Sequence, residues 1–363
     1  GYRSSPLAES QSCTYEFESA KHKNAIITLK NFYKMLIKFI IKRLIVLCPI
    51  LVLISIVSYA VIELPPGNHV QTLIDAYERD GIHVEEDTIK MWKAKYGLDK
   101  NLFLQYLFWI KPIVLDFDFG NSFHYQKPVT EILSERIPRT IGISILAIAV
   151  QWLIGIPIGI YSAIKKNSIQ DYIFSFFGFI GLAIPPFMLA IVLVYYIFVT
   201  TGWAMTGLYS PEFENLPWSF SKFLDLMKNI SLPIIILSVS GIAILVRIMR
   251  AALLDELQKN YVVTARSKGL NEYVLLLKYP VRIALNPLIS TIGWVLPATV
   301  GGEIIVSKVL NLDTTGPILL EAILNEDMFL AGGIIFLLSV LTVIGTLLSD
   351  ILLAMMDPRI RYE

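Results

Sequence analysis

The sequence predicts an all-α integral membrane protein of six transmembrane helices, with a small external domain between the first and second spans. Three observations predict it. Of 363 residues, 55% are hydrophobic and only 17% are charged, which is richer in apolar side chains than the roughly 45–50% of soluble domains. The apolar residues fall into blocks at 44–62, 141–163, 174–199, 230–249, 288–306 and 329–356. Each is near or above the ~20 residues a helix needs to cross a ~30 Å hydrocarbon layer at about 1.5 Å per residue. The basic residues collect in short connections: Lys34, Lys38, Lys42 and Arg43 before the first block; Lys165 and Lys166 after the second; Arg247, Arg250, Lys259, Arg266, Lys268, Lys278 and Arg282 after the fourth; Arg359 and Arg361 at the end. By the positive-inside rule these segments are cytoplasmic, so both termini lie inside, in keeping with an even number of spans. The stretch 310–328 has no Lys or Arg but carries Asp313, Glu321, Glu326 and Asp327, and reads as external.

In chain order, residues 1–34 form a polar tail without clear periodicity, ahead of Met35 and a basic-apolar run. The tail is either an extension before a natural start at Met35 or an ordinary cytoplasmic terminus. Residues 35–62 form the first span. Ser58-Tyr59-Ala60 resembles a small-x-small cleavage site, but the apolar stretch exceeds a signal-peptide core, so the block reads as a retained helix. The two cysteines, Cys13 and Cys48, lie in the tail and the first span and imply no disulfide framework.

Residues 63–139 are the one sizeable polar region, with charges of both signs. Leu64-Pro65-Pro66-Gly67 ends the first helix, because proline cannot continue it and glycine accepts unusual backbone angles. The stretch 84–96 reads as a short amphipathic helix, with Ile89, Trp92 and Tyr96 at helical spacing and Gly97 as its stop. This region is expected to be an external lid or docking surface. Residues 140–356 hold five further spans and a cytoplasmic loop at 250–286, followed by a cytoplasmic tail at 357–363. Gly155, Pro157 and Gly159, then Gly181, Pro185 and Pro186, then Pro297, Gly301 and Gly302 recur inside the spans. They mark either close helix packing or helices broken beside a cavity.

The sequence has no G-x-x-x-x-G-K-[ST] loop, so ATP hydrolysis by this chain is not expected, and no H-E-x-x-H. The four histidines, His22, His69, His83 and His124, lie outside the spans and read as surface residues, not a metal site. No catalytic residue, cofactor, metal or nucleic-acid partner is indicated; the chain is not expected to be an enzyme. Trp203, Tyr209 and Trp218 read as interfacial anchors. Two carboxylates inside spans, Glu303 and Asp350, are candidates for the pathway or a helix seam, since ionisable groups there are expensive. The alternatives are an interhelical hydrogen bond, or snorkelling for Asp350 near the boundary.

The most informative segment is the loop 261–287. Residues 261–268 predict a short helix closed by Gly269 in a left-handed cap, and Asn271 caps a second helix running to Lys278 ahead of Pro280. With small Ala265 and Gly269 at its elbow, this hairpin can enter a groove on another protein. Alternatively it lies on anionic lipid through Arg266, Lys268 and Lys278. The stretch resembles the signature loop of inner-membrane permease subunits of binding-protein-dependent ABC importers, in the dipeptide, oligopeptide and nickel branch. The matching residues are Thr264, Ala265, Arg266, Lys268, Gly269 and Leu270. Similar pieces run from Met35 to the end: Tyr96-Gly97-Leu98-Asp99, Phe119-Gly120-Asn121-Ser122, Gly155 to Gly159, Pro185-Pro186-Phe187 and Asp357-Pro358-Arg359.

The resemblance implies that the loop is a coupling helix docking on an ATPase. It also implies a heterodimer with a second homologous permease, two cytoplasmic ATPase subunits and an external solute-binding protein, all in the plasma (inner) membrane of a prokaryote amid its lipid. Departures stand beside it: Tyr279-Pro280 where the family usually has His-Ala, Glu303 one turn before the glutamate common at the position of Ser307, and Leu312-Asp313-Thr314-Thr315-Gly316 in place of an aromatic-Pro-Gly-Leu-Gly turn. The implied cargo is an oligopeptide or dipeptide, with oligosaccharide or nickel as alternatives. A proton-driven secondary transporter is the rival from another class; it would use several buried ionisable groups and repeated halves.

Overall fold

The computed structural model describes residues 37–60, 74, 77–78, 81, 83–95, 100–122, 124–203 and 206–356. Among the described residues the regular elements are helices, with one isolated bridge between Asn121 and Pro128. The stop at Leu64-Pro65-Pro66-Gly67, the break at Gly97 and both terminal tails lie outside the described residues. The helices are α1 (Ile37–Ala60), α2 (Glu86–Lys95), α3 (Leu102–Asp116), α4 (Val129–Ile164), α5 (Ile169–Ala183), α6 (Pro186–Thr201), α7 (Phe220–Leu257), α8 (Asn260–Ser267), α9 (Glu272–Lys278), α10 (Pro280–Ala284), α11 (Asn286–Val309), α12 (Thr315–Leu324) and α13 (Met328–Met356).

Helices α1, α4, α7 and α13 are each long and apolar enough to cross a membrane, and two bent helix segments bring the number of spans to six. The third span is not the single helix that the block 174–199 predicts. It breaks into α5 and α6, inclined at 98° to one another. Pro185 and Pro186 are the cause. A residue before proline is pushed out of the helical region, and Ile184 is extended at φ −87°, ψ 117°. Pro186 then opens α6 at its first turn, where a missing N–H does no harm. The fifth span, α11, bends by 43° between Val295 and Ala298.

Helix α4 starts well ahead of its apolar block, so Arg136 and Arg139, read with the external region, belong to the opening turns of the second span's helix. Helix α7 outruns its block at both ends. Each extension carries charged residues beyond the hydrocarbon layer, and these form the polar clusters described below.

Among the described residues helices α4 and α7 make the most extensive helix contact, and they run parallel, since Gly155 and Gly159 meet Leu245 and Met249 in the same order. Glycine makes it close. A Cβ on Gly155 would stand 2.9 Å from Leu245 Cβ, and one on Gly159 would stand 2.7 Å from Met249 Cβ and 3.0 Å from the Val246 carbonyl oxygen. These residues, four apart, form one small-residue ridge. The sixth span docks on the fifth in a similar way, with Gly293 against the Thr346 backbone. Arg43 of α1 pairs with Asp350 of α13 at 3.2 Å, so the start of the first span and the end of the last lie at one end of the bundle.

Gly159→Ala is therefore expected to destabilise the protein by about 1–3 kcal/mol through overpacking, read as a lower midpoint of thermal or denaturant unfolding. Gly178→Ala is the comparator, since a Cβ there meets nothing within 4 Å. Equal midpoints for the two variants would show that the α4–α7 approach is not constrained at Gly159.

Candidate functional site

The loop predicted from the spacing of Gly269 and Asn271 is a hairpin of α8 and α9 followed by α10. Gly269 adopts φ +76°, the left-handed turn between the two helices. Asn271 Oδ1 accepts a hydrogen bond from the Tyr273 amide at 3.0 Å, capping α9. Val262, Ala265 and Leu275 are buried against one another, with Tyr261 and Tyr279 at the edge. Ala265, small as the elbow requires, is 8% exposed and faces inward, where a larger side chain would separate the two helices.

The exposed side of the hairpin is made by other residues. Thr264 is exposed and turns its hydroxyl back to the Asn260 carbonyl at 2.9 Å. Arg266 is exposed and pairs with Glu272 at 2.6 Å, bracing the turn from outside. The pair raises the Arg266 guanidinium above its ordinary range and lowers the Glu272 carboxyl, in each case chiefly through their hydrogen bond. Lys268 is exposed at the C-cap, and space around a Gly269 Cβ is open to at least 4 Å. Leu270, Val263, Tyr273, Val274 and Leu277 form an exposed apolar surface, Tyr273 being 79% exposed. Sequence reading caught the turn and missed this surface, because period and capping locate a short helix without saying which side faces the chain's own bundle.

The hairpin is anchored to the spans by two contacts. The Tyr261 hydroxyl donates to Glu256 at the end of α7. Burial and that contact push the tyrosine hydroxyl above its usual range. Val281 and Ala284 of α10 pack with Met249 and Leu253 of α7 and Ala163 of α4. One level deeper, Asp171 of α5 is 2% exposed and accepts hydrogen bonds from Arg250 Nε and Nη2, both at 2.7 Å, from the Asn167 amide at 3.0 Å and from the Ser162 hydroxyl. The fork geometry of arginine matches a carboxylate in two parallel bonds. This clamp joins the hairpin-side ends of the second, third and fourth spans. Arg250 had been counted only as one of a run of basic residues. The retrievable signal was Asp171, an acid just past a basic turn at the head of an apolar block.

Glu303 and Asp350 are not brought together. Ser349 donates to the Ile289 carbonyl at 2.8 Å, which sets Asp350 level with the start of α11. Glu303 is farther along that helix by about 21 Å at about 1.5 Å per residue. Glu303 is fully buried within the subunit; its Oε1 accepts from Ser307 at 3.0 Å, and Oε2 has no hydrogen-bond partner among the described residues. Asp350 pairs with Arg43 without hydrogen-bond angles, a seam between the first and sixth spans. Another polar group at mid-span, missed in the sequence, is Gln151. Its amide donates to the Leu237 carbonyl at 3.1 Å and lies where a Cβ on Gly241 would stand, 2.2 Å away. A cavity of about 100 Å³ opens beside it, lined by Pro186 at the break of the third span and by Trp294 and Val295 at the bend of the fifth. Broken helices at membrane depth are tolerated where they line a cavity.

At the opposite end, a cavity of about 660 Å³ is walled by α4, the loop at 206–214, α11 and α12. Arg136 and Arg139 both pair with Asp313. Lys308 pairs with Glu321 at 2.8 Å, and Glu321 also accepts from the Tyr125 hydroxyl at 2.7 Å. Burial and that bond push the Tyr125 hydroxyl up to about 12, while the Lys308 hydrogen bond lowers Glu321. Among the described residues no group of histidine, cysteine, aspartate and glutamate side chains has metal-holding geometry.

Two family models match the chain. The description "Binding-protein-dependent transport system inner membrane component" covers residues 155–362, and the corresponding N-terminal model covers 35–144. The oligopeptide transport system permease protein AppB of Bacillus subtilis (strain 168) is 32% identical over 325 residues, covering 89% of this chain and 99% of that protein. The oligopeptide transport system permease protein OppB of Haemophilus influenzae is 29% identical over 328 residues, covering 90% and 100%. A solved structure of the MetNI methionine ABC transporter in an inward-facing conformation overlaps 63% of this chain and 97% of its own, at 16% identity and a TM-score of 0.47.

Breaking the clamp by Asp171→Asn leaves Arg250 without its charge partner, and the expected loss of stability is about 3 kcal/mol. Equilibrium unfolding of the purified protein reads it. Combined with Arg250→Gln, the loss is expected to be much less than the sum of the two single losses; a purely additive result would remove the clamp from the account of this end of the bundle.

Proposed function

Because the chain belongs to the binding-protein-dependent transport system inner membrane component family, we propose that it forms half of the translocation pathway of an ATP-driven importer of oligopeptides or dipeptides. The chain is a multi-pass permease subunit and not an enzyme; ATP hydrolysis and solute capture fall to an ATPase and a binding protein. We assign the ATPase contact to the hairpin of α8 and α9. The observation that carries the assignment is its division into two sides: Val262, Ala265 and Leu275 close a core toward the chain, while Leu270, Tyr273, Val274 and Leu277 stay exposed around an open Gly269. A helix pair already filled on its inner side can transmit a push without collapsing. ATP binding then shifts the two-state equilibrium of the spans through contacts that differ between the states.

Peptide is the cargo that the named relatives favour, and no observation here favours oligosaccharide or nickel. The other half of the pathway is a second homologous permease, in a heterodimer. The proton-driven alternative loses its premise, because the two span carboxylates are held by Arg43 and Ser307 and stand far apart. The basic residues of the α7–α10 region support a reading in which the hairpin and both termini are cytoplasmic and the polar cavity at Asp313 faces outward.

Orientation is tested by cysteine labelling in sealed vesicles or cells. A cysteine at Lys90 is expected to react with an impermeant thiol reagent from outside, and one at Ser267 only after the membrane is opened; the reverse pattern would invert the topology. Coupling is tested by Gly269→Tyr. Space is open around this residue in the subunit, so the substitution carries within the chain only the left-handed backbone penalty of about 1–2 kcal/mol. The variant is expected to insert and pair with its partner permease, yet to lose most uptake and the response of ATPase activity to loaded binding protein. Normal stimulated ATPase activity and normal uptake in reconstituted vesicles would remove the hairpin from the coupling role, and would suit a loop resting on lipid, where tyrosine is at home.

A further inference from the structure

Helix α3 lies in the stretch read from the sequence as a small external domain in water. Its exposure pattern is the reverse of a water-facing helix. The buried side is Gln105, Trp109 and Ile113, one residue per turn, and it includes a polar amide. The outward side is Leu102, Phe103, Phe108, Val114 and Leu115, between 48% and 68% exposed. A soluble amphipathic helix turns its apolar stripe inward; here apolar side chains fill the exposed face.

The inner side also has a depth. The Tyr106 hydroxyl bonds Ser55 Oγ at 2.7 Å, and Tyr59 bonds Gln105 at 3.2 Å, so α3 packs along the last turns of the first span and not beyond its end. Trp109 packs edge-on against Phe336, with ring centroids 6.1 Å apart. Phe336 is about 12 Å into the sixth span from its Met328 end, at about 1.5 Å per residue. The face of α1 beside these contacts is itself apolar and exposed at Val52, Leu53 and Ile56, so the outward side of α3 continues a surface that lipid covers. The polar groups fall where they can reach headgroups. Asn101 caps the N-terminus, Lys100 lies over the Phe108 ring at 4.0 Å, and Lys111 is exposed on a long stem.

We propose that α3 is a membrane-embedded helix seated in the lipid leaflet at the end of the bundle opposite Arg43 and Asp350, and that its occupant is the acyl layer, not a soluble partner. It follows that part of the apparent external domain is a lipid-bound collar around the outer ends of the first and sixth spans. That end also holds the loop at Gly120, where a Cβ would strike the Phe329 ring at 2.7 Å at the start of the sixth span. The proposal holds whichever side of the membrane that end faces, so it stands apart from the orientation and coupling assignments above.

The test uses the complete importer in vesicles, with Cys13 and Cys48 replaced by serine and single cysteines at Phe103 and Leu115 carrying a bimane fluorophore. Both positions are exposed in the subunit, so the cysteines leave its packing intact; recovery of the assembled complex and its uptake checks this. Leu53→Cys serves as the lipid-facing reference and Glu85→Cys as the aqueous one. Lipids brominated in the acyl chain are expected to quench bimane at 103 and 115 about as strongly as at 53 and several-fold more than at 85. The unlabelled cysteines are expected to resist an impermeant thiol reagent. Free reaction with that reagent and no quenching would put the face in water and overturn the proposal. Protection without quenching, relieved when the binding protein or the partner permease is left out, would overturn it in favour of a protein cover.

Discussion

The parallel seam between α4 and α7 is the constraint on which the rest of the bundle depends. In lipid there is no hydrophobic force to press one apolar helix against another, so close approach and hydrogen bonds between helices must hold them. The seam supplies both along its length. Ser238 reaches the Ala147 carbonyl at 3.1 Å, Gln151 reaches the Leu237 carbonyl, Gly155 and Gly159 admit Leu245 and Met249, and the Asp171–Arg250 clamp closes the end. On α4 the residues 147, 151, 155 and 159 are four apart, and on α7 their partners advance from Leu237 and Ser238 to Leu245 and Met249, so the small and polar residues share one ridge. The break in the third span is cradled by the same seam: Gly181 lies against Val239, and Pro186 opens beside Gln151.

Much of this was legible in the sequence, and what was not has identifiable causes. Block length and charge placement reveal spans because a backbone in lipid must satisfy its own hydrogen bonds, and an apolar block of about 20 residues does so as a helix. The proline pair flags the break in the third span but not its 98° bend, which is set by what α5 and α6 pack against. The hairpin was legible from Gly269 and Asn271, since local backbone demands are written locally. Its facing is not legible there, because the burial of Ala265 depends on Leu275 across the turn. The Asp171–Arg250 clamp and the Gln151–Leu237 bond join residues 79 and 86 positions apart, and no local pattern announces such pairs. Helix α3 is not singled out by the sequence, because an apolar run of moderate length within a charged stretch does not say which way its apolar side turns.

The two span carboxylates show how one cost is met in two ways. Asp350 lies near the end of the bundle and meets Arg43, so each charge supports the other across the seam between the first and last spans. Glu303 has no cation among its described contacts and is wholly buried, with a hydroxyl at one oxygen. Its neighbourhood is among the tightest in the chain, since a Cβ on Gly316 would stand 2.6 Å from Ile304 Cα. The turn Leu312-Asp313-Thr314-Thr315-Gly316 is therefore fixed on both sides, by that close approach and by the pairing of Asp313 with Arg136 and Arg139. Any movement of α12 that opens the polar cavity must disturb the ion pairs and the packing near Glu303 together.

That linkage bears on how a push at one end reaches the other. The hairpin is joined to α7 through Glu256 and α10, α7 is clamped to α5 through Arg250 and bonded to α4 along the seam, and α4 carries Arg136 and Arg139 to the far cavity. The links join helices through hydrogen bonds, close packing or paired charges, which leaves little room at those joints for a displacement of the hairpin to be absorbed locally. The compliant places are the two interruptions, at Pro185–Pro186 and at Val295–Ala298, and both border the mid-span cavity beside Gln151. On the coupling role proposed for the hairpin, a force entering there would be carried by the α4–α7 pair and relieved where the third and fifth spans are broken, since the helices are already interrupted there.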